Sequence, residues 1–269
     1  MDISLTFDVE RDLHSNDIKS LNIGIPRLLN ILNKHNVKAT FFVPAKLLEE
    51  FPRLFKDLRK KGHEIALHGY DHERFDDLSL KEKEVRIKKS VEIYKKLFKH
   101  GPAGFRAPQM SIERETLKIL KKNNFLYDSS YTPFDFLQLL FFPKKFKIWF
   151  ESFLKPRKIF KLENNFYEVP LSSLFIPLTS MTLRILGPVL LRIYLALLKL
   201  TNQNLTFFAH SWDFIETPQS RIDRHFGHER FILNFKRMIE ILYKKGKYIT
   251  IEKLVQEKLS ITLKSLKKL

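Results

Sequence analysis

Two histidines four residues apart, in the run His68-Gly69-Tyr70-Asp71-His72, can turn both imidazoles toward one divalent metal. The i, i+4 spacing suits a single helical turn. It is equally the spacing of two ordinary solvent-exposed imidazoles, so a metal reading needs a third ligand, a carboxylate in a catalytic His₂-carboxylate set. Thr6-Phe7-Asp8-Val9-Glu10 offers two carboxylates. In extended chain Asp8 and Glu10 project from one face, and the pair can divide labour: one binds the metal while the other stays free as a base. An acidic strand terminus with no further role has the same appearance. Arg106, in Gly104-Phe105-Arg106-Ala107-Pro108, can grip a carboxylate through a bidentate contact and keep it ionised, with Pro108 fixing the chain behind it. Asp128, in Leu126-Tyr127-Asp128-Ser129-Ser130, can orient a partner. His210, in Phe207-Phe208-Ala209-His210-Ser211-Trp212, can protonate a leaving amine, although a lone histidine after a strand is more often structural.

These groups need elements that bring them to one end of a sheet. Asp2–Phe7, Thr40–Val43, His63–Leu67, Ala103–Arg106, Phe125–Tyr127, Thr206–Ala209 and Tyr248–Thr250 read as strands, short and rich in aromatic and β-branched residues. Between the early strands run helical stripes. One spans Ile25 to Leu32 with Pro26 in its first turn, and another runs from Leu47 to Leu58 and stops at Gly62. Ser79 and Glu82 form a capping box for a long charged helix ending near Gly101, and Ser111 is placed to cap a helix to Lys122. Glu229–Lys245 is amphipathic, and a Lys-rich helical tail follows over 251–269. Alternating strands and helices predict a parallel sheet or barrel with its chemistry at the strand C-termini. Each polar group above falls at such an end. The pattern lapses between Tyr131 and Thr206, so the expectation is a single 1–269 domain with an insertion at about 131–204.

In this order the motifs TFDVE (6–10), ATFFV (39–43), GHEIALHGYDH (62–72), GFRAP (104–108), YDSS (127–130) and FFAH (207–210) resemble those of the NodB-homology polysaccharide deacetylases, carbohydrate esterase family 4. The resemblance covers roughly 2–130 and 205–252 and leaves the insertion aside. It implies an α/β fold of the distorted or incomplete (β/α) barrel type with a helical insertion. It also implies a divalent metal, expected to be Zn²⁺, on Glu10, His68 and His72, with Asp8 as general base, Arg106 positioning Asp8, His210 as general acid and Asp128 in support. Many exported members have adjacent acids where this chain has Asp-x-Glu. The Asp-x-acid spacing is similar to that of cytoplasmic relatives acting on lipid-linked amino sugars and of an allantoinase-like branch, both of which usually have Asp at the third position. Glu10 is one methylene longer. The implied reaction is hydrolysis of a linear amide, N-deacetylation or N-deformylation of an amino sugar; the alternative is a soluble amidohydrolase of a small metabolite. Pro108, Tyr131, Trp212, His225 and His228 are the candidates for touching substrate. His225 and His228 serve as well as caps of the following helix.

The composition narrows the partners. Among 269 residues there are 48 Lys and Arg against 30 Asp and Glu, a formal charge of +18, and no Cys, which removes disulfides, thiolate metal sites and cysteine nucleophiles. The charge suits a polyanion: nucleic acid, a lipid surface or a phosphate-bearing substrate. No nucleic-acid-binding signature is present and the basic residues are dispersed, so no specific nucleic acid is expected. In the insertion Phe134, Phe136, Phe141, Phe142, Phe146, Trp149, Phe150 and Phe153 alternate with Lys and Arg. Residues 174–200 are apolar apart from Arg184, Arg192 and Lys199, with Gly187-Pro188 expected to split any helix there. Three cations and that break argue against a membrane span. The two remaining readings are helices packed on the barrel and an interfacial element on an anionic membrane. The N-terminus shows no basic segment followed by a long apolar one. The expectation is therefore a cytoplasmic protein, peripheral on the inner face of the cell membrane, with a polyprenyl-phosphate-linked amino sugar as substrate.

Overall fold

The computed structural model describes residues 1–12, 15, 17–136, 146–201, 204–216, 225 and 227–266, with side chains of 146–149 and 261–266 not considered. In chain order its elements are β1 (Asp2–Asp8), α1 (Ile25–Asn33), β2 (Thr40–Val43), α2 (Ala45–Glu50), α3 (Pro52–Lys60), β3 (Glu64–Leu67), α4 (Leu80–Phe98), β4 (Gly104–Phe105), α5 (Arg114–Lys122) and β5 (Tyr127–Asp128). The second half adds α6 (Phe146–Phe153), β6 (Phe160–Glu163), β7 (Phe166–Glu168), α7 (Ser180–Ile185), α8 (Pro188–Thr201), β8 (Asn204–His210), α9 (His228–Tyr243), β9 (Lys247–Tyr248) and α10 (Ile251–Leu266).

The strands form one sheet in the order β6-β7-β5-β4-β3-β2-β1-β8, with β9 beside the start of β1. All pairings are parallel except β6 with β7. The chain after β7 curls the sheet toward closure: Ser172 N–H donates to the Thr206 carbonyl at 3.1 Å and Phe208 N–H to the Leu178 carbonyl at 3.1 Å. This is the incomplete barrel that the alternating pattern predicts. Phe7 anchors its core, with the rings of Phe41, Phe207, Phe214 and Phe235 at 5.6 to 6.2 Å. Gly104 allows the sheet to pass close to Tyr127, whose ring atoms lie 1.9 Å from where a Cβ would stand.

Several expectations change in detail. The stripe from Leu47 to Leu58 is two helices, because Pro52 lacks an N–H to continue α2 and instead starts α3. The Ser79–Glu82 capping box is present, and α4 ends near Gly101 as expected, at a left-handed Lys99. Ser111 does not cap α5, whose N-cap is Glu113. Gly187-Pro188 divides α7 from α8 as expected. The segment 131–170, irregular by its sequence, adds two strands, and β7 lies parallel to β5. The sheet therefore runs on into the expected insertion.

Candidate active site

Five strand ends deliver the side chains. Asp8 closes β1 opposite His210 in β8, His68 follows β3, Arg106 follows β4, and Asp128 closes β5 opposite Phe105. Beyond β1 the chain is pinned so that Glu10 turns into the same space. Its N–H donates to Ser211 Oγ at 3.1 Å, and its carbonyl accepts from Ser20 Oγ at 2.6 Å. Asp12 holds that return by accepting from the N–H groups of Lys19 and Ser20.

The two histidines do not share a helical turn. Gly69 at φ +76° and His72 at φ +59° make a tight left-handed turn, and the ring centroids end 5.2 Å apart. Glu73 stitches that turn together, accepting from Tyr70 N–H at 3.1 Å and from Asp71 N–H at 2.6 Å. Glu10 Oε1 then lies 2.9 Å from His72 Nε2 and 3.6 Å from His68 Nε2. Donor atoms of Glu10, His68 and His72 all fall within 4.8 Å of one another.

The trio fits a metal on its own chemistry. His68 is fully buried; its Nδ1 meets the Arg106 carbonyl at 2.8 Å, and its Nε2 has no hydrogen-bond partner. Nδ1 donating to a carbonyl leaves the Nε2 lone pair free for a cation. A borderline ion such as Zn²⁺ suits two imidazoles and one carboxylate.

Asp8 lies against the trio, its Oδ2 3.4 Å from His68 Nε2 and its Oδ1 2.9 Å from Arg106 Nη1. The grip from Arg106 is single, because the buried guanidinium is shared. Nη1 also reaches Thr6 Oγ1 at 2.9 Å, Nε donates to the Ser129 carbonyl and Nη2 to Ser129 Oγ. Its plane lies over Phe42, 4.1 Å from the ring centre. That leaves Arg106 no freedom to swing away from Asp8.

His210, the β8 neighbour of Asp8, also approaches the trio, its Nε2 3.7 Å from Glu10 Oε1, and donor atoms of Asp8, Glu10 and His210 lie within 4.8 Å of one another. Trp212 stacks on it at 4.1 Å and 13°, with its indole N–H 3.4 Å from Glu10 Oε2. Asp213 stands 3.6 Å from His210 Nδ1 and accepts from the His210 N–H at 2.8 Å. Asp213 is in turn paired with Arg184 of α7 at 2.9 Å, both fully buried. Burial works against the His210 cation, but Glu10, Asp213 and Asp8 together raise its pKa above the ordinary value. Burial likewise opposes charge on Glu10, and His210 with contacts from His68 and His72 more than offsets it, so Glu10 stays ionised well below the usual carboxylate range.

Sequence reasoning missed Asp213 and Glu73. Asp213 lies three residues after His210, a spacing that brings its carboxylate back to the imidazole across a 3₁₀ turn. Asp128 holds the backbone instead: it accepts from Ser130 Oγ at 2.9 Å and Ser130 N–H at 3.1 Å, while Ser130 Oγ accepts from Ala107 N–H. Burial raises Asp128 to about 6 and, together with the Asp128 charge, pushes its neighbour Glu168 up further, so the buried pair retains a shared proton.

The substrate candidates divide. Trp212 is in the site, and Pro108 packs beside Gly69 at its edge. A 200 Å³ opening lined by Glu10, His72, Arg11, Lys46 and Asp71 leads to the trio. Tyr131 lines a separate groove with Glu113, Glu151 and Lys155. His228 opens α9 and lines a cleft with Arg27, Lys34 and Glu216 that none of Glu10, His68 and His72 lines; the N-cap is Gly227. His225 is exposed, with 217–224 and 226 on either side outside the described residues.

Residues 2–127 match the polysaccharide deacetylase family model. The first half of the chain is similar to that family. A peptidoglycan deacetylase of Helicobacter pylori is 36% identical over 129 residues, 48% of this chain and 42% of the relative. The chain spans less than half the length of each of the first curated relatives it matches. In fold the likeness extends further. A putative polysaccharide deacetylase from Mycobacterium smegmatis superimposes with a TM-score of 0.67 at 20% identity, covering 95% of this chain and 89% of that one. An allantoinase gives the same TM-score at 12% identity, again over 95% and 89%. Every candidate catalytic or metal residue except His210 falls before or at Asp128, and β8 supplies His210 beside Asp8.

Proposed function

We propose that the chain is a metal-dependent hydrolase of a linear amide on an amino sugar, releasing an acetyl or formyl group as the acid and leaving a free amine. The observation that carries this is the pair Asp8 and His210, neighbours across β1 and β8 that both border Glu10, His68 and His72 and are held by separate devices, Arg106 for one and Asp213 with Trp212 for the other. A deacetylase segment in the matching family and a relative named for peptidoglycan deacetylation support the amino-sugar amide.

A divalent cation on Glu10, His68 and His72, Zn²⁺ by the donor set, supplies Lewis acidity toward an amide carbonyl and acidifies water. Asp8 accepts the proton of the attacking water, fixed in place by Arg106. His210, its pKa raised, donates a proton to the departing nitrogen, so water adds across the C–N bond with its oxygen on the acyl carbon. Trp212 keeps the imidazole edge-on to the site and shields one of its faces from water.

The substrate we assign is an amino sugar carried on a polyprenyl phosphate at the cytoplasmic face of the membrane. A charge of +18 suits the anionic cytoplasmic leaflet and a phosphate-linked carrier. Lys46 and Arg11 line the opening of the site, paired there with Asp71 and Glu50. Mass spectrometry of lipid-linked N-acyl sugars incubated with Zn²⁺-loaded protein should show loss of acetyl or formyl. Turnover of a small ureide with no change in any N-acyl sugar would replace this reading with a small-metabolite amidohydrolase.

A further inference from the structure

Helix α8 is amphipathic in the ordinary sense on one side only. Leu191, Tyr194, Leu195 and Leu198 are buried against the barrel. The opposite side is also apolar: Val189 is 68% exposed, Leu190 57%, Ile193 50%, Leu197 43% and Leu200 83%. At about 100° per residue these five fall within a stripe about 100° wide, and Arg192 and Lys199 lie together along one edge of it. A surface helix covered on both faces by leucine and isoleucine is not explained by packing on its own domain.

From the geometry we propose that this outer face of α8 is a docking surface for an anionic lipid bilayer. Charge selects the occupant. From residue 169 through residue 212 the sequence contains no Asp or Glu, while Arg184, Arg192 and Lys199 are all cationic. Arg184 is consumed by Asp213, which leaves Arg192 and Lys199 as the charges beside the stripe. A second copy of this face would bring like charges together with no carboxylate on the helix to answer them. A headgroup interface accepts the apolar stripe at the acyl boundary and gives both cations phosphates to reach by extending their stems. Among the described residues no helix is long and apolar enough to cross a membrane, so the contact is with the surface.

The face is also placed to matter for the site. Thr201 ends α8 and Asn204 starts β8, so the helix runs antiparallel to the strand on which it packs. Its first turn therefore lies toward the strand end that carries His210, next to α7, whose Arg184 reaches Asp213. Docking through Val189 and Leu190 brings the catalytic end of the barrel to the headgroups. This deepens the lipid-linked reading above but stands without its chemistry.

Flotation with vesicles of phosphatidylcholine alone and of phosphatidylcholine mixed with phosphatidylglycerol tests it. The chain should float with the mixed vesicles, and Leu190→Gln/Ile193→Gln/Leu197→Gln, changing only exposed side chains, should weaken that binding on the order of tenfold or more. Failure of the unaltered chain to float at low salt, or undiminished flotation of the triple variant, overturns the proposal. A Leu190→Trp variant should shift its emission to the blue on mixed vesicles, and an unchanged spectrum overturns it as well. So does a dimer, seen by light scattering, that the triple variant dissolves, because the face then belongs to a second copy. Hydrolysis of a soluble N-acetylated chitooligosaccharide, followed in parallel, reports on the chemistry alone. Flotation without hydrolysis supports the docking surface and counts against the proposed reaction, whereas hydrolysis without flotation does the reverse.

Discussion

His210 can act as a proton donor only if its ring is held and its cation favoured, and three different side chains do this. Trp212 stacks on its face, Asp213 meets Nδ1, and Glu10 lies near Nε2. Asp213 is itself kept in place by Arg184, a residue of the segment outside the family match. Asp213→Asn preserves shape while removing the charge that faces Nδ1, so kcat should fall on the order of a hundredfold with KM little changed. Full kcat in that variant would remove Asp213 from the site. Asp8→Asn should lower turnover by about two to four orders of magnitude while the protein still takes up its metal. Near-normal rates in that metal-loaded variant would show that the base is elsewhere. Arg184→Met leaves the buried Asp213 carboxylate without its cation, which should cost about 3–5 kcal/mol of stability in a urea titration.

The proposed metal site depends on the turn after β3 as much as on its three candidate ligands. His72 reaches Glu10 because Gly69 and His72 both adopt positive φ, and Glu73 accepts the two N–H groups which that turn exposes. Glu73→Ala should loosen the turn and weaken metal binding about 10–100-fold in a competition with a chelating dye, with Glu10, His68 and His72 all intact. Unchanged affinity would mean the ligands alone fix the geometry. The elements around this turn were legible to different degrees. β1, β2 and β8 are rich in aromatic and β-branched residues, β3 is Glu-Ile-Ala-Leu, and nearly every side chain in all four is buried, so apolar character locates them. The two-residue β4 falls inside the expected strand Ala103–Arg106, and β5 overlaps the expected Phe125–Tyr127 at Tyr127. β7 is three residues, Phe166–Glu168, and its glutamate is buried beside Asp128; a charged residue in so short a run carries no strand signal. The ligands themselves were legible because their order along the chain mirrors the strand order. Their supports were not, since Glu73, Asp213 and Ser211 act through local turns whose φ and ψ a spacing rule does not give.

At the scale of the whole molecule, stability against pH is set partly by two neighbours at the start of β3 whose responses oppose each other. His63 is buried beside Lys38 and Lys61, and burial first, then those two charges, lower its pKa from 6.5 to about 4. Between those values the unfolded chain binds the extra proton, so this contribution is present above 6.5 and is lost as pH falls toward 4. Glu64 is pushed the other way, from 4.5 to about 7, mainly by burial and then by Glu252. Here the folded chain binds the extra proton, so stability is present below 4.5 and is lost as pH rises through 7. Over the shared interval the two slopes cancel, and from these two groups the native protein should be nearly flat in stability. Glu64→Gln breaks the cancellation. Its side-chain oxygen can still accept from Glu252 N–H and Thr40 Oγ1, and its amide can donate to the Tyr127 hydroxyl, the groups that Glu64 now meets at 2.7 to 2.9 Å. No charge then has to be buried when pH rises. The variant should gain stability relative to the parent on going from pH 4.5 to pH 8, up to about 3 kcal/mol, and its own curve should now fall on acidification as His63 takes up its proton. Urea titrations of both proteins across that range decide it. Parallel curves would mean that Glu64 is ionised at the same pH in the folded and unfolded chains, and that Tyr127, Thr40 and the Glu252 amide fully compensate its burial.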